Sequence, residues 1–229
     1  MSETRPALHP ALLTDAPHAI PLHAVTAKNW QELAENYSKN AVTYAQAQGF
    51  NGQDGQNVSL PAADGAVAAV LTGFDPHKNE DSVFAAGRLA TSLPTGDYCL
   101  GTGWTDENAA VLAFLLGLYR FERYKKPENK LRRLVLPEQV DGPALSVIAQ
   151  SVSWGRDLIN MPANQMGPQE IEQAARTLAE SYGATLTCIE GQALLTHNLP
   201  MIHAVGRAST RAPRLIDLVW GDASHKTVT

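Results

Sequence analysis

From Pro143 onward, helix-opening prolines and helix-closing glycines mark out the chain so regularly that it reads as an alternation of helices and strands. Pro143 suits the first turn of a helix, where its missing N–H costs nothing, and Leu145, Ile148, Val152 and Ile159 share one face until Pro162 ends the run. Pro168 opens the next helix, Ile171, Ala175, Leu178 and Tyr182 form its expected buried face, and Gly183 closes it. A strand at 184–189, a short helix at 191–197 and strands at 201–205 and 214–220 follow. That order is the signature of an α/β fold.

The first half is less regular. Residues 1–26 contain short apolar runs among prolines, and one or two edge strands are expected there. Residues from Ala27 to Phe50 have the composition of a helix, and Asn51-Gly52 and Asp54-Gly55 are turn dipeptides. Strands are expected at Asn57 to Leu60 and Gly65 to Gly73, joined by the turn Ala63-Asp64-Gly65, then a short helix at 80–92 and a strand from Tyr98 to Gly101. Thr105 is the expected cap of a long helix carrying Asp106 and Glu107 in its first turn and Lys125 and Lys126 in its last, with Leu112, Leu115, Leu116 and Tyr119 as the buried stripe. LRRLVLP at 131–137 reads as a strand before the turn Asp141-Gly142-Pro143.

Of the 229 residues, 44% are hydrophobic, enough for one large domain or two modest ones. The net charge of −5 argues against a surface built to coat nucleic acid. Cys99 and Cys188 form no CxxC and no disulfide framework, which suits a reducing, cytoplasmic setting. The longest apolar stretch, Ala109 to Tyr119, falls short of the roughly 20 residues that span a bilayer, so no membrane association is expected. Prolines interrupt the N-terminal apolar runs, which disfavours a secretory signal.

Few residues ask for a chemical explanation. The sequence contains no GxSxG, HExxH, GxxxxGK[ST] or GxGxxG motif. His197, His203 and His225 match no metal-ligand spacing and are read as ordinary histidines. The basic run Arg120, Arg123, Lys125, Lys126, Lys130, Arg132 and Arg133, diluted by Glu122 and Glu128, is read as the solvated end of a helix and the turn after it rather than an anion site. Glu170 and Glu172 fall in a first helical turn, where the macrodipole accounts for them. Leu100-Gly101-Thr102-Gly103 is a short match to a phosphate cradle, and a plain turn is the favoured reading. The segment WGRDLINMPANQMGP at 154–168 places Arg156, Asp157, Asn160 and Asn164 around a helix break, where short polar side chains ordinarily satisfy freed backbone groups.

That segment closely resembles the opening of the catalytic domain in the leucyl aminopeptidase family of dinuclear-metal cytosol aminopeptidases. The resemblance extends to GFNGQDG at 49–55, GLYRFERYKKP at 117–127 and HAVGRASTRAPRLIDLVWG at 203–221, and so covers most of the chain from about residue 45. It implies a macro-domain-like N-terminal α/β sandwich at 1–144, a linking helix and joint at 145–165, and the beginning of a truncated α/β peptidase domain at 166–229. It also implies cytoplasmic, commonly hexameric enzymes that remove N-terminal residues from peptides by means of two divalent ions, Zn²⁺ or Mn²⁺.

The family's metal ligands and catalytic lysine lie in motifs of the type VGKGVxFDTGG, KxDMGGAA and NTDAEGR, beyond the LIDLVWG strand. None stands in this sequence, and Lys226 to Thr229 resembles the start of the strand leading into the first of them. No residue here is therefore assigned as catalytic, cofactor-binding or metal-binding, and no cofactor is expected in the chain itself. The expectation is an N-terminal portion of a metalloaminopeptidase, inactive alone, with an apolar face and an open edge of an incomplete parallel sheet around 201–205 and 214–220. The alternative is a non-catalytic ligand-binding or oligomer-assembly module.

Overall fold

A computed structural model describes residues 7–38, 40–75, 80–126, 131–222, 224–226 and 228. The chain divides into two units, Met1–Gly155 and Arg156–Thr229.

The first unit is built on a six-stranded sheet of β1 (Leu12–Leu13), β2 (Ile20–Val25), β3 (Asn57–Pro61), β4 (Val67–Gly73), β5 (Gly96–Leu100) and β6 (Arg132–Val135). Their spatial order is β1-β6-β5-β2-β4-β3, and every neighbouring pair is parallel except the β3–β4 hairpin. Parallel strands are covered on both faces, and the apolar run Val67 to Leu71 of β4 follows from that. Val70 joins Leu22, Tyr98 and Leu134 in a core completed by Leu89 of α3 (Leu89–Ser92), Val111, Phe114 and Leu115 of α4 (Glu107–Gly117), and Leu145 and Ala149 of α5 (Gly142–Asn160). Its neighbours Ala69 and Leu71 face the other way, with Val25, Val58 and Leu60, onto Trp30 and Ala34 of α1 (Trp30–Glu35) and Ala41 and Ala45 of α2 (Ala41–Ala47).

Several expectations are corrected. β2 is a central strand, not an edge, because Pro21 falls before the β4 ladder begins at Leu22 and so leaves no hydrogen bond unmade. The expected helix after Ala27 is two short helices. Asp106, not Thr105, caps α4 by accepting the Ala109 amide, and α4 stops at Gly117 rather than at Lys126. Gly117 is in close contact there: a Cβ on it would lie 2.2 Å from the Gly87 carbonyl oxygen, in the 3-10 helix Glu80–Arg88. The deepest face of α4 carries Ala110, Val111, Ala113, Phe114 and Leu115, while Leu112, Leu116 and Tyr119 are half-buried. In α5 only the first two turns are buried, and Ile148 and Ile159 are exposed.

The second unit contains α6 (Pro168–Tyr182), β7 (Thr185–Glu190), α7 (Ala193–Thr196), α8 (Pro200–Gly206) and β8 (Arg214–Val219). Gly183 ends α6 in the left-handed conformation, as its sequence suggests, and the Glu170 carboxylate accepts the Gly167 amide at the other end. The expected strand at 201–205 is helix α8. A short apolar run does not distinguish strand from helix, and Pro200 sits at a helix start. β7 and β8 pair with each other antiparallel, so this piece of sheet is not the parallel arrangement expected of it. Met201, Val205, Val219 and Trp220 are exposed, as expected of this stretch, but so are Ile171 and Tyr182, which the helical pattern of α6 assigns to a core.

Candidate functional site

A crevice of about 250 Å³ opens at the carboxyl ends of β2 and β5. Ala24 and Val25 end β2 at its floor, Asn29, Glu32, Leu33 and Asn36 line it from the α1 side, and Thr102 and Gly103 close it from the loop after β5. That loop is tied tightly to β2. The Gly101 amide donates to the Leu22 carbonyl at 2.8 Å, the Ala24 amide to the Thr102 carbonyl at 2.9 Å, and the Trp104 indole N–H to the Leu22 carbonyl at 2.8 Å.

Under the loop lies the buried imidazole of His23. Its Nδ1 accepts the Thr102 backbone N–H at 3.0 Å, and because an amide can only donate, Nδ1 carries no proton. Nε2–H then donates to the Tyr37 hydroxyl at 2.5 Å. The same logic applies to His9, whose Nδ1 accepts the Ala11 amide at 3.1 Å. Burial holds both imidazoles below the ordinary histidine range.

A pH dependence follows. The unfolded chain protonates these two histidines first as the pH falls through about 6.5, so stability is level above that value and declines below it, toward the lowered folded-state values. Urea titrations at pH 7.5, 6.5 and 5.5, above the range in which ordinary carboxylates titrate, are expected to show a falling midpoint; an unchanged midpoint contradicts the assignment.

The Gly-Thr-Gly turn is not a phosphate cradle, since the amides of Gly101 and Thr102 are already engaged within the protein. The basic run is also dispersed. Arg132 is buried and donates to the Leu93 carbonyl, and Arg133 is bidentate to Asp97 at 2.7 and 2.8 Å. Arg120, Arg123, Lys125 and Lys126 are exposed in the turns after α4, so they belong to the solvated stretch beyond the helix and not to its last turn. Lys130 and Glu128 lie outside the described residues.

In the second unit, the segment at the helix break is held by an arginine the sequence did not single out. Arg211 donates to the carbonyls of Ala163 and Asn164 and pairs with Glu170 at 3.3 Å. Gly167 makes room for it, since a Cβ there would lie 2.1 Å from Arg211 Nη1. The expectation that asparagine side chains satisfy the break is thus amended for Asn164, whose backbone carbonyl is what is used. Arg156, Asp157 and Asn160 each have an interaction partner. Arg214, 7% exposed, bridges Glu172 and Glu190, and Glu172 also holds Arg176 at 2.6 Å. Hydrogen bonds from Arg176 and then Arg214 keep the Glu172 carboxyl below the usual range. An apolar groove of about 450 Å³ lies beside Arg214, lined by Pro168, Met201, Ile202, Val205, Gly206 and Pro213.

Among the described residues, no three His, Cys, Asp or Glu side chains converge on a point. His197 Nδ1 is taken by the Ala193 carbonyl at 2.8 Å, within its own helix. The described residues therefore do not fit a pair of metal ions.

These two units define an α/β protein whose parallel sheet is closed around its own core and whose second unit bears open apolar surface. The sequence profile described as "M17 aminopeptidase, N-terminal domain" matches residues 20–137, and that of "Cytosol aminopeptidase family, catalytic domain" matches residues 153–229. The chain belongs to the M17, or cytosol, aminopeptidase family. It is 29% identical over 227 residues to a probable cytosol aminopeptidase of Wolinella succinogenes, a match covering 88% of this chain and 46% of that one. The crystal structure of a cytosol aminopeptidase from Coxiella burnetii superposes with a TM-score of 0.82 at 32% identity, covering 93% of this chain and 47% of that one. The bottromycin maturation enzyme BotP, solved in complex with Mn, shares the fold at a TM-score of 0.69 and 22% identity, with 91% and 46% covered. The chain thus spans about half the length of the relatives it matches.

Proposed function

We propose that this chain forms the N-terminal domain and the opening of the catalytic domain of a leucyl-type metalloaminopeptidase, an enzyme that removes N-terminal residues from peptides. The observation that carries the reading is the pair of consecutive family matches, 20–137 and 153–229, in the order in which the two domains follow each other. The division into 1–144, a linking helix and joint at 145–165, and 166–229 belongs to the same reading. It is supported by α5, which runs through Gly142–Asn160 across the junction of the two units. Two divalent ions, Zn²⁺ or Mn²⁺, are the metals of the complete enzyme, and BotP's complex with Mn is in keeping with that. A cytoplasmic, hexameric enzyme acting on peptide N-termini completes the proposal.

The chain alone is expected to be inactive. Purified 229-residue protein incubated with leucine p-nitroanilide and Mn²⁺ or Zn²⁺ should release no p-nitroaniline above the metal blank. Metal-dependent release that scales with protein concentration overturns the placement of the chemistry outside this sequence.

A further inference from the structure

The crevice beside α1 lies where the sheet changes direction. The chain leaves β2 through α1 and α2 toward β4 on one side, and leaves β5 through α4 toward β6 on the other. Loops that depart to opposite sides leave an opening between the carboxyl ends of the two strands, and in open parallel sheets that is where ligands are held. Gly103 shapes this wall. Its φ is +92°, and a Cβ there would lie 1.9 Å from the Ala24 carbonyl oxygen, so the loop lies directly on the end of β2.

The lining chooses among ligand chemistries. Among the described residues Glu32 bears the only formal charge in the lining, and none of them pairs with that carboxylate. Asn36 adds a carboxamide; the Asn29 oxygen already accepts from Thr26, which leaves its NH₂, and the Thr102 hydroxyl donates to His23 Nδ1 at 3.0 Å, which leaves its oxygen as an acceptor, while Leu33 and Val25 offer apolar contact for a short carbon chain. Among the described residues no lysine, arginine or histidine lines the opening, and the Gly101 and Thr102 amides, which a phosphate would need, are occupied. A volume of about 250 Å³ falls below that of pockets for drug-sized molecules, so the occupant has few heavy atoms.

We propose that this crevice binds a small organic cation of the primary-ammonium class, its ammonium on Glu32 and its hydroxyl or amide group on the Asn36 and Thr102 side. The site belongs to the first unit alone and does not depend on the peptidase reading.

The test is a titration of the ¹⁵N-labelled 229-residue chain with ethanolamine and with glycinamide, followed by amide chemical shifts; inorganic phosphate, ADP-ribose and glycerol are the comparison arms. Saturable shifts centred on Thr102, Gly103 and Asn36 are expected with the two amines only. Glu32→Gln, at an exposed position, should leave the unfolding midpoint unchanged and weaken amine binding about tenfold, the loss expected of a charge-assisted hydrogen bond. Asn36→Ala should weaken it as well. Failure of both amines to give saturable shifts, equal affinity in Glu32→Gln, or saturable binding of phosphate, ADP-ribose or glycerol at the same amides overturns the proposal.

Discussion

Gly103→Ala is expected to destabilise the first unit by about 4 kcal/mol, the sum of a left-handed backbone carrying a side chain and a methyl group forced against fixed backbone. The clash is with the Ala24 carbonyl oxygen, 1.9 Å from the Cβ position, in a central strand that has no room to retreat. Gly49→Ala is the control. Gly49 also has positive φ, +76°, but nothing lies within 4 Å of its Cβ position, so only the conformational cost of about 1–2 kcal/mol remains. Urea unfolding monitored by hydrogen exchange at the β2, β4 and β5 amides separates the two. Equal losses in both variants would show that the loop moves off β2 freely.

The second large effect is expected in the other unit. Arg214→Ala leaves the Glu172 carboxylate, 13% exposed, with Arg176 as its remaining charged partner, and the expected loss is about 3 kcal/mol. Arg214 Nε has no partner, so the ion pair is not ideal to begin with, and an apolar replacement should be tolerated. The double variant Arg214→Met with Glu172→Leu is therefore expected to recover most of the loss. Exchange rates of the β7 and β8 amides report it directly. A single Ala variant indistinguishable from the original protein would mean that Glu172 finds solvent without Arg214.

Much of this fold is legible in the residues where one local interaction decides the outcome. Pro168 and Gly183 delimit α6 because a missing N–H and a left-handed backbone are tolerated at those ends of a helix and nowhere inside it. The β3–β4 hairpin follows from two apolar runs around Ala63-Asp64-Gly65, and Gly65 takes up positive φ there. The text misled where two structures are locally equivalent. Residues 201–205 are apolar enough for a strand, and α8 differs from one only in what its backbone bonds to. The end of α4 is also invisible locally, since the residues after Gly117 are good helix formers; the close approach of Gly87 and Gly117 is a fact about two segments distant in the chain.

The candidate site divides in the same way. The Gly-Thr-Gly turn stands out in the text, but whether its amides are free depends on β2, where the Leu22 carbonyl takes the Gly101 amide and His23, 79 positions away, takes that of Thr102. Glu32 and Asn36 carry no signal at all: on a short helix an acid and an amide four apart are ordinary surface residues until the loop after β5 is placed opposite them. Arg211, which holds the helix break, carries no local signal for the same reason.

By itself, then, the sequence determined the α/β class, most element positions, the family and the absence of the familiar catalytic motifs, because these depend on periodicity, turn chemistry and contiguous text. Strand order, the antiparallel pairing of β7 with β8, the burial of Arg132 and Arg214 and the crevice at the ends of β2 and β5 were decided only by the tertiary structure. Each of these is a contact between residues far apart in the chain, and the free energy of such a contact is set by what the folded backbone brings within a few ångströms of it.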